Sequence, residues 1–175
     1  GNHYWRNDTN IMTQATQLYY KTRLAIVRHT EIEDVFELAR NMRKADKIEI
    51  WKSDHKTPEE ALLGGYMDSA VCWTVDRKEK PIAMFGVVPN SILGPTASVW
   101  LLASPELTQV QRAFLRHSRH FIDIMLGYYP IIANWVDVDN RESIRWLKWC
   151  GAEFGPIMPY GAEQAPFQFF RFRRT

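Results

Sequence analysis

The sequence predicts a mixed α/β (α+β) domain, in which one mostly antiparallel sheet has a central parallel pair of strands and carries helices on both faces. Short apolar runs typical of strands alternate with helical patterns along the chain. The run 70–89 has two apolar stretches around a charged turn, which predicts an antiparallel hairpin. Strand 98–104, helix 106–126 and strand 131–139 predict a right-handed crossover, which makes its two strands parallel neighbours.

The composition is that of an ordinary globular chain, with 175 residues, 46% of them hydrophobic and 24% charged. This length predicts one domain, placed at 23–175 after a polar arm at 1–22 that has no clear period. The net charge of +2 is too small to indicate a nucleic-acid partner. No apolar run approaches the roughly 18 residues of a membrane span. The two cysteines, Cys72 and Cys150, predict free thiols in a reducing compartment.

The first helix of the domain follows a short strand at 23–30. Thr30 and Glu33 form a predicted capping box, in which each side chain accepts a hydrogen bond from an unpaired amide. The next charged stretch, up to about residue 56, has no clear period and is assigned no element. Apolar residues of the first helix recur at the spacing of a buried face, at Val35, Leu38, Ala39 and Met42.

A second helix is predicted to begin at Thr57. Thr57 is its N-cap, Pro58 occupies the first turn, and Glu60 closes a capping box with the threonine. After the hairpin, the segment 91–97 has the Gly and Pro content of a turn. This turn leads into the first strand of the crossover.

The rest of the chain alternates between strand and helix patterns. Ser104 and Pro105 begin the crossover helix, and Gly151 ends a further helix at 141–150. A terminal strand at 167–173 completes the order β, α, α, β, β, β, α, β, α, β. The buried stripe of the crossover helix is predicted at Val110, Phe114, Phe121, Ile122 and Met125.

The segment after strand 131–139 carries a family resemblance. It begins at Asn140 and ends at Gly151, and it resembles the N-x-x-[AS]-I-R…G segment of the GNAT superfamily of acetyl-CoA-dependent N-acetyltransferases. Together with the element order, this resemblance extends over residues 23–173. Within the superfamily the chain resembles most the small internal virion proteins of short-tailed bacteriophages, through stretches such as GVVPNSILGPTASVWLLASPEL and NWVDVDN.

The resemblance implies a coenzyme site in the gap between strands 98–104 and 131–139. Acetyl-CoA would lie between these splayed strands, with its pyrophosphate on the first amides of the helix that follows strand 98–104. An amine would attack the acetyl thioester, whose carbonyl would face a backbone N–H. The residues implied in coenzyme binding are Leu102, Ala103, Gln111, Arg112, Ala113, Asn140 and Ser143.

The sequence departs from the GNAT pattern at two points. The phosphate-binding signature [RQ]-x-x-G-x-[GA] aligns with Thr108 to Ala113, and Gln111 replaces its central Gly. A bulky side chain there narrows the space for a phosphate, although Arg112 adds positive charge. The tyrosine that protonates the departing thiolate in many GNAT enzymes is replaced by Leu147. We therefore expect acetyl-CoA to bind weakly or not at all.

Several polar residues near the predicted gap have both a functional and a structural interpretation. Asn140 is either a ligand of the pantetheine arm or a helix N-cap, and both roles are compatible. Asp137 and Asp139 share one strand face, where either is a candidate general base for an incoming amine. The competing interpretation, solvated charges at a strand edge, is favoured for both.

Two tryptophans and two histidines also have both a functional and a structural interpretation. Trp146 and Trp149 lie three residues apart and form either a partner patch or, as we favour, packing at the core and its rim. His117 and His120 share a helix face, as in some metal sites. No third ligand has a suitable spacing, and neighbouring arginines would repel a cation, so no metal is predicted.

Besides a weaker possibility, a virion component that contacts DNA, two functions remain open from the sequence. One is an N-acetyltransferase-like protein that acts on an amine acceptor. The other is a non-catalytic internal virion, assembly or ejection protein that uses the GNAT fold as a scaffold. The resemblance implies a protein of the bacterial host cytoplasm or the virion, with other virion proteins as partners.

Overall fold

A computed structural model describes residues 18–21 and 25–175 of the chain. Within this part the strands are β1 (Leu18–Lys21), β2 (Ile26–His29), β3 (Val71–Arg77), β4 (Lys80–Pro89), β5 (Thr96–Ala103), β6 (Ile131–Asp137), β7 (Glu153–Tyr160) and β8 (Ala165–Arg173). The helices are α1 (Ile32–Arg40), α2 (Lys44–Asp54), α3 (Pro58–Asp68), α4 (Gln111–Tyr128) and α5 (Arg141–Cys150). A 3₁₀ helix, Pro105–Val110, leads directly into α4.

The described strands form one sheet in the order β1-β2-β3-β4-β5-β6-β8-β7. All neighbours are antiparallel except β5 and β6, which are parallel. The predicted mixed sheet and its central parallel pair are thus confirmed. The helical segment between these two strands runs from Pro105 to Tyr128, against a predicted helix at 106–126. Its first six residues form the 3₁₀ helix rather than an α-helix.

The parallel pair separates soon after it forms. Paired residues run only from Thr96–Ile131 to Ser98–Ala133. One residue further on, the side-chain Nδ2 of Asn134 donates a hydrogen bond of 2.9 Å to the carbonyl oxygen of Val99, so a side chain spans the distance that the backbone no longer does. The gap therefore opens toward the C-terminal ends of β5 and β6, as the resemblance implies.

Each face of the sheet has its own hydrophobic core. On one face α4 and α5 cover a large aromatic cluster in which Trp73 stacks on Phe85 at 5.3 Å between ring centroids. On the other face α1, α2 and α3 cover a smaller aliphatic core that includes Met84. Adjacent residues of β4 enter opposite cores because strand side chains alternate between faces.

The start of α1 differs from the prediction by one residue. The N-cap is Glu31, whose backbone N–H donates to Oδ2 of Asp34 at 2.9 Å. Thr30 instead accepts a hydrogen bond from the hydroxyl of Thr74 at 2.9 Å. The predicted Thr30–Glu33 capping box is therefore wrong, because the helix begins one residue later and the short Asp34 side chain takes the role assigned to Glu33.

The predicted start of α3 is confirmed. The hydroxyl of Thr57 accepts a hydrogen bond from the backbone N–H of Glu60 at 3.2 Å, and Pro58 lies in the first turn. We expect Thr57→Ala to lower the free energy of unfolding by about 1 kcal/mol, because an amide loses its cap. Urea unfolding monitored by circular dichroism measures this loss. Thr57→Ser keeps the hydroxyl and should lose much less; equal losses would contradict the capping role.

Three elements were not predicted from the sequence. Helix α2 occupies most of the charged stretch before residue 56, and β7 forms one edge of the sheet. Strand β1 falls within the predicted arm at 1–22, and its backbone pairs with β2. The rest of that arm lies outside the described residues.

The turn between β7 and β8 holds the C-terminal end of α2. Backbone N–H groups of Ala162 and Glu163 donate to the carbonyl oxygens of Ser53, at 2.8 Å, and Lys52, at 3.0 Å. Gly161 has a φ of +74°, and a Cβ there would lie 2.6 Å from the Cα of Ser53. Only glycine fits this position, so the turn and the helix end are matched to each other.

Candidate functional site

The N-terminal part of α2 lies against the end of β5. The backbone N–H of Arg43 donates to the carbonyl oxygen of Ala103 at 2.8 Å. In return, Oδ2 of Asp46 accepts the backbone N–H of Ala103 at 2.9 Å. Both backbone polar groups of Ala103, which face the gap, are therefore already bonded.

A second carboxylate of α2 accepts a backbone N–H at the end of β6. Oε2 of Glu49 accepts the backbone N–H of Asp137 at 3.0 Å. The side-chain Nδ2 of Asn140 donates to both acids, at 3.1 Å to Oδ1 of Asp46 and at 3.2 Å to Oε2 of Glu49. The two splayed strand ends are thus joined through two carboxylates and one amide, which we call the carboxylate bridge (Asp46, Glu49 and Asn140).

Lys52, one turn further along α2, extends these contacts. Its Nζ lies 2.9 Å from Oδ2 of Asp137 and 3.2 Å from Oδ2 of Asp139. Asp137 is only 1% exposed, so its interpretation as a solvated edge charge is wrong, because α2 covers this end of β6. The side chain of Asp139 is 77% exposed, and for this residue the same interpretation is confirmed.

Burial changes the acidity of the carboxylate bridge. Burial, and then the neighbouring Asp46 carboxylate, raise the pKa of Glu49 to about 8, although the hydrogen bonds from Asp137 and Asn140 act in the opposite direction. Burial also raises the pKa of Asp46, against the lowering effect of Arg43. Because Arg43 lies against Asp46, we infer that Glu49 is the member of the pair that takes up a proton first as the pH falls.

The Arg43 side chain crosses from β5 to the start of α5. Its Nε donates to Asp46 at 2.8 Å, its Nη1 to Glu142 at 3.1 Å, and its Nη2 to the hydroxyl of Ser143 at 3.1 Å. A guanidinium that donates to three fixed acceptors holds α2 and α5 at a set distance from each other. Ser143, implied in coenzyme binding, is therefore bonded to the protein itself.

The crossover helix does not begin where a phosphate site requires it. Its helical backbone starts at Pro105, which has no N–H, and the Ser104 hydroxyl accepts the N–H of Glu106 at 3.2 Å. The N–H of Gln111, at the start of α4, already bonds to the carbonyl oxygen of Thr108. Because the helix continues through this point, residues 111–113 do not form the open helix start that binds anions.

The coenzyme implied by the resemblance does not fit these residues. Ala103, Asn140 and Ser143 have their polar groups bonded to other parts of the chain. Leu102 is buried in the core beneath α1 to α3. Gln111 and Arg112 are exposed and Ala113 is partly buried, on a turn that offers no open helix start. The structure gathers four of the seven predicted residues, Leu102, Ala103, Asn140 and Ser143, around one gap, and α2 has closed the part of it nearest the strand ends.

A cavity of about 390 Å³ remains in the gap below the carboxylate bridge. Its lining includes Glu49 together with backbone from β5 and β6. Strand residues alternate in the direction of their backbone polar groups. Since the Val99 carbonyl and the Ala103 N–H both face the gap, the N–H of Leu101 faces it too. A small molecule there would meet this backbone donor, and the acidic residues of the lining are Glu49, Asp54 and Asp68.

The tryptophan pair of α5 packs against α4, as favoured from the sequence. Nε1 of Trp146 donates to the hydroxyl of Ser118 at 2.9 Å, and Nε1 of Trp149 donates to the carbonyl oxygen of Leu115 at 2.9 Å. Trp149 remains 48% exposed at the rim. Leu147, at the position of the missing tyrosine, is buried in the core and offers no proton.

The remaining candidate side chains of the described residues form no further site. Groups of three or more potential metal ligands are absent among them. Cys72 and Cys150 are free thiols, and burial raises their pKa to about 11 and about 12, which makes both unreactive at neutral pH. None of the described helices has the length and apolar character needed to cross a membrane.

The acids of α2 that lie at the strand ends were not predicted from the sequence. Asp46, Glu49 and Lys52 are spaced three residues apart, so they share one face of a helix. That face is charged, and a search for apolar periodicity does not detect it. Once residues 44–54 are taken as a helix, the recurring charges are a usable signal for a polar face directed inward.

The sequence matches one described family. Residues 81–156 match the family described as "Bacteriophage T7, probable scaffold protein Gp13". This region extends from β4 into the start of β7, includes both splayed strands, and is less than half of the chain. No curated protein matches the chain as a whole or in part.

Solved structures with the same architecture include proteins named as acetyltransferases. Ard1 from Thermoplasma volcanium has a TM-score of 0.65 and 14% identity, over 87% of this chain and 99% of its own. Ribosomal-protein-S5-alanine acetyltransferase from Vibrio fischeri has a TM-score of 0.63 and 16% identity, over 88% and 95%. Spermidine N-acetyltransferase from Vibrio cholerae, in complex with CoA and spermine, has a TM-score of 0.56 and 14% identity, over 87% and 96%. The chain therefore has the GNAT fold.

Proposed function

We propose that this chain is a non-catalytic assembly protein of a bacteriophage that uses the GNAT fold as a scaffold. The phage scaffold family matched by residues 81–156 supports the phage assignment. The carboxylate bridge supports the absence of acetyl transfer, because Asp46 and Glu49 hold the backbone donors at both strand ends.

The carboxylate bridge is the observation that carries this proposal. A coenzyme between the strands would need the Ala103 N–H and the space now crossed by Arg43. Displacing Asp46 from three donors would leave a buried carboxylate without partners, which costs several kcal/mol. The closed gap is therefore the stable state of this fold rather than a state that waits for a ligand.

Acetyl transfer to an amine is the second candidate function. The cavity below the bridge favours it, since Glu49 lines this cavity and has a pKa of about 8. Only the ionised form of this carboxyl group takes a proton from an ammonium group, and that form becomes the larger fraction above about pH 8. Within the described residues, however, the phosphate end of the coenzyme has no matching set of donors.

Calorimetric titration with acetyl-CoA separates the two candidates. We expect no binding tighter than about 1 mM. The double variant Thr108→Arg/Gln111→Gly provides the control, because it restores the GNAT signature without reopening the gap, and we expect no gain in affinity. Binding of acetyl-CoA in the micromolar range by the unmodified protein would favour the acetyltransferase instead.

The assembly role is tested in phage particles. Antibodies against the protein should detect it in purified assembly intermediates of the phage that encodes it. Detection in mature particles as well would identify a virion component, whereas loss on maturation would identify a scaffold. Absence from intermediates and mature particles alike would contradict the assembly role, whatever the coenzyme titration gives.

A further inference from the structure

We propose that the groove between α4 and α5 binds a short segment of a partner protein, in which one large apolar side chain is flanked by carboxylates. This inference rests on the proposed function, because a bound coenzyme would contact Gln111 and leave less of the groove free for a partner. The groove has a volume of about 280 Å³. Its lining includes Thr108, Gln111 and Glu142 at one end and Trp149 at the other.

The interior of the groove is apolar and firmly held. Leu107 is buried, and Leu101 and Phe114 are partly buried beside it. Phe114 stacks on Trp146 at 6.1 Å between ring centroids, and the indole of Trp146 is anchored on Ser118. Rigid aromatic walls are typical of places where a partner inserts a single anchoring side chain.

The size of the groove limits what can occupy it. Pockets for drug-sized ligands usually measure about 300–1,000 Å³, so a groove of about 280 Å³ is too small for a whole coenzyme. A single large aromatic side chain, such as that of phenylalanine or tryptophan, occupies a large part of such a space. A peptide whose flanking residues rest on the rim therefore matches the shape better than a free small molecule.

The charges at the rim favour an acidic segment. Arg145 lines the groove, is exposed, and has no hydrogen-bond or ion-pair partner among the described residues. Glu142, the acid of the rim, is already paired with Arg43 at 3.1 Å. Arg112, next to Gln111 on α4, adds another exposed cation. The net charge around the apolar interior is therefore positive, and carboxylates on either side of the anchor would complement it.

The proposal is tested with three fluorescein-labelled peptides that differ only in the feature under test. SEDFEDS carries the anchor and the acids, SEDAEDS lacks the anchor, and SKKFKKS reverses the charges. We expect fluorescence anisotropy to give a dissociation constant of about 10–100 μM for SEDFEDS. Binding of either of the other two should be at least about tenfold weaker.

Variants of the protein locate the binding site. Arg145→Glu changes an exposed side chain and should weaken SEDFEDS binding about tenfold, as expected for two lost surface contacts. Thr108→Trp fills the groove and should abolish binding. Lys47→Glu, an exposed α2 residue that does not line the groove, carries the same charge change and should leave the affinity within about twofold, since salt weakens exposed charges that make no direct contact.

Several outcomes would overturn the proposal. These are no binding of SEDFEDS up to about 1 mM, equal binding of SKKFKKS, or unchanged affinity of Arg145→Glu. Sedimentation that shows a dimer for the unmodified protein and a monomer for Arg145→Glu would identify a second copy as the occupant and overturn it too. Acetyl-CoA binding would refute the proposed function, whereas failure of the peptides without acetyl-CoA binding would refute only the docking groove.

Discussion

Replacing Asp46 by alanine should lower the free energy of unfolding by about 3–5 kcal/mol, which is the range for breaking one partner out of a buried ion pair. Asp46 is 0% exposed and accepts hydrogen bonds from Arg43, the Ala103 N–H and Asn140. All three donors lose their partner in the variant, and the Arg43 charge loses its main counter-ion. Urea unfolding monitored by tryptophan fluorescence measures the loss.

The matched control for this variant is Asp139→Ala. Asp139 also lies at this end of the sheet and also pairs with Lys52, but its side chain is 77% exposed. We expect a change within about 0.5 kcal/mol, as for most surface ion pairs. A loss below about 1 kcal/mol for Asp46→Ala, or equal losses for both variants, would mean that the carboxylate bridge does not hold the strand ends together.

Replacing Glu49 by glutamine should stabilise the protein, and more so as the pH rises. Burial raises the pKa of Glu49 from 4.5 to about 8. Between these values the unfolded chain releases the proton while the folded chain keeps it, so the folded state loses stability with increasing pH. Glutamine cannot ionise and can still accept the hydrogen bonds from Asp137 and Asn140. The gain should be small near pH 4, grow by about 1.4 kcal/mol per pH unit between the two pKa values, and reach on the order of 5 kcal/mol above pH 8.

Melting temperatures of the unmodified protein and Glu49→Gln, compared from pH 4 to pH 9, measure this gain. The matched control is Glu79→Gln, an exposed change of the same chemistry in the turn between β3 and β4, whose effect should not grow with pH between 5 and 8. A Glu49→Gln variant that is less stable than the unmodified protein at pH 8 would show that Glu49 is ionised in the bridge. The inferred location of the proton would then be wrong.

The elements that the sequence predicts are those with a regular apolar pattern. The hairpin of β3 and β4, the crossover between β5 and β6, and the capped helices α3 and α5 all bury one face or both. Burial imposes a period of 2 or 3.6 on such segments, and that period is visible in one sequence. The parallel pairing of β5 and β6 follows from the handedness of the crossover that joins them.

The elements that the sequence does not reveal lack this period. In α2 the inward face carries Asp46, Glu49 and Lys52, so the usual contrast between apolar and charged faces is missing. Edge strand β7 is largely exposed, contains Pro156 and Pro159, and has a bulge in its pairing with β8. Its side chains meet solvent on both faces, and no alternation is required there.

The candidate site was only half predictable for the same reason. The resemblance of the segment from Asn140 to Gly151 to the GNAT pattern places the gap, whereas the residue types alone indicate only a helix cap. What fills the gap depends on contacts between residues about ninety positions apart, such as the hydrogen bond from Asn140 to Asp46. Such tertiary contacts leave no local pattern, so the sequence predicts an eroded coenzyme site where the structure has a closed one.

The contact between the β7–β8 turn and the end of α2 has a consequence for the order of synthesis. His55, at the C-cap of α2, and Glu163, in that turn, are hydrogen-bonded yet 108 positions apart. On the ribosome α2 therefore emerges long before the segments that cap it and cover its acids. Until residues 137–140 are made, Glu49 lacks the partners that hold it in the bridge, and its carboxyl group is hydrated and ionised at neutral pH. The gap therefore closes late in the synthesis of the chain, and the pKa of Glu49 rises only when it closes.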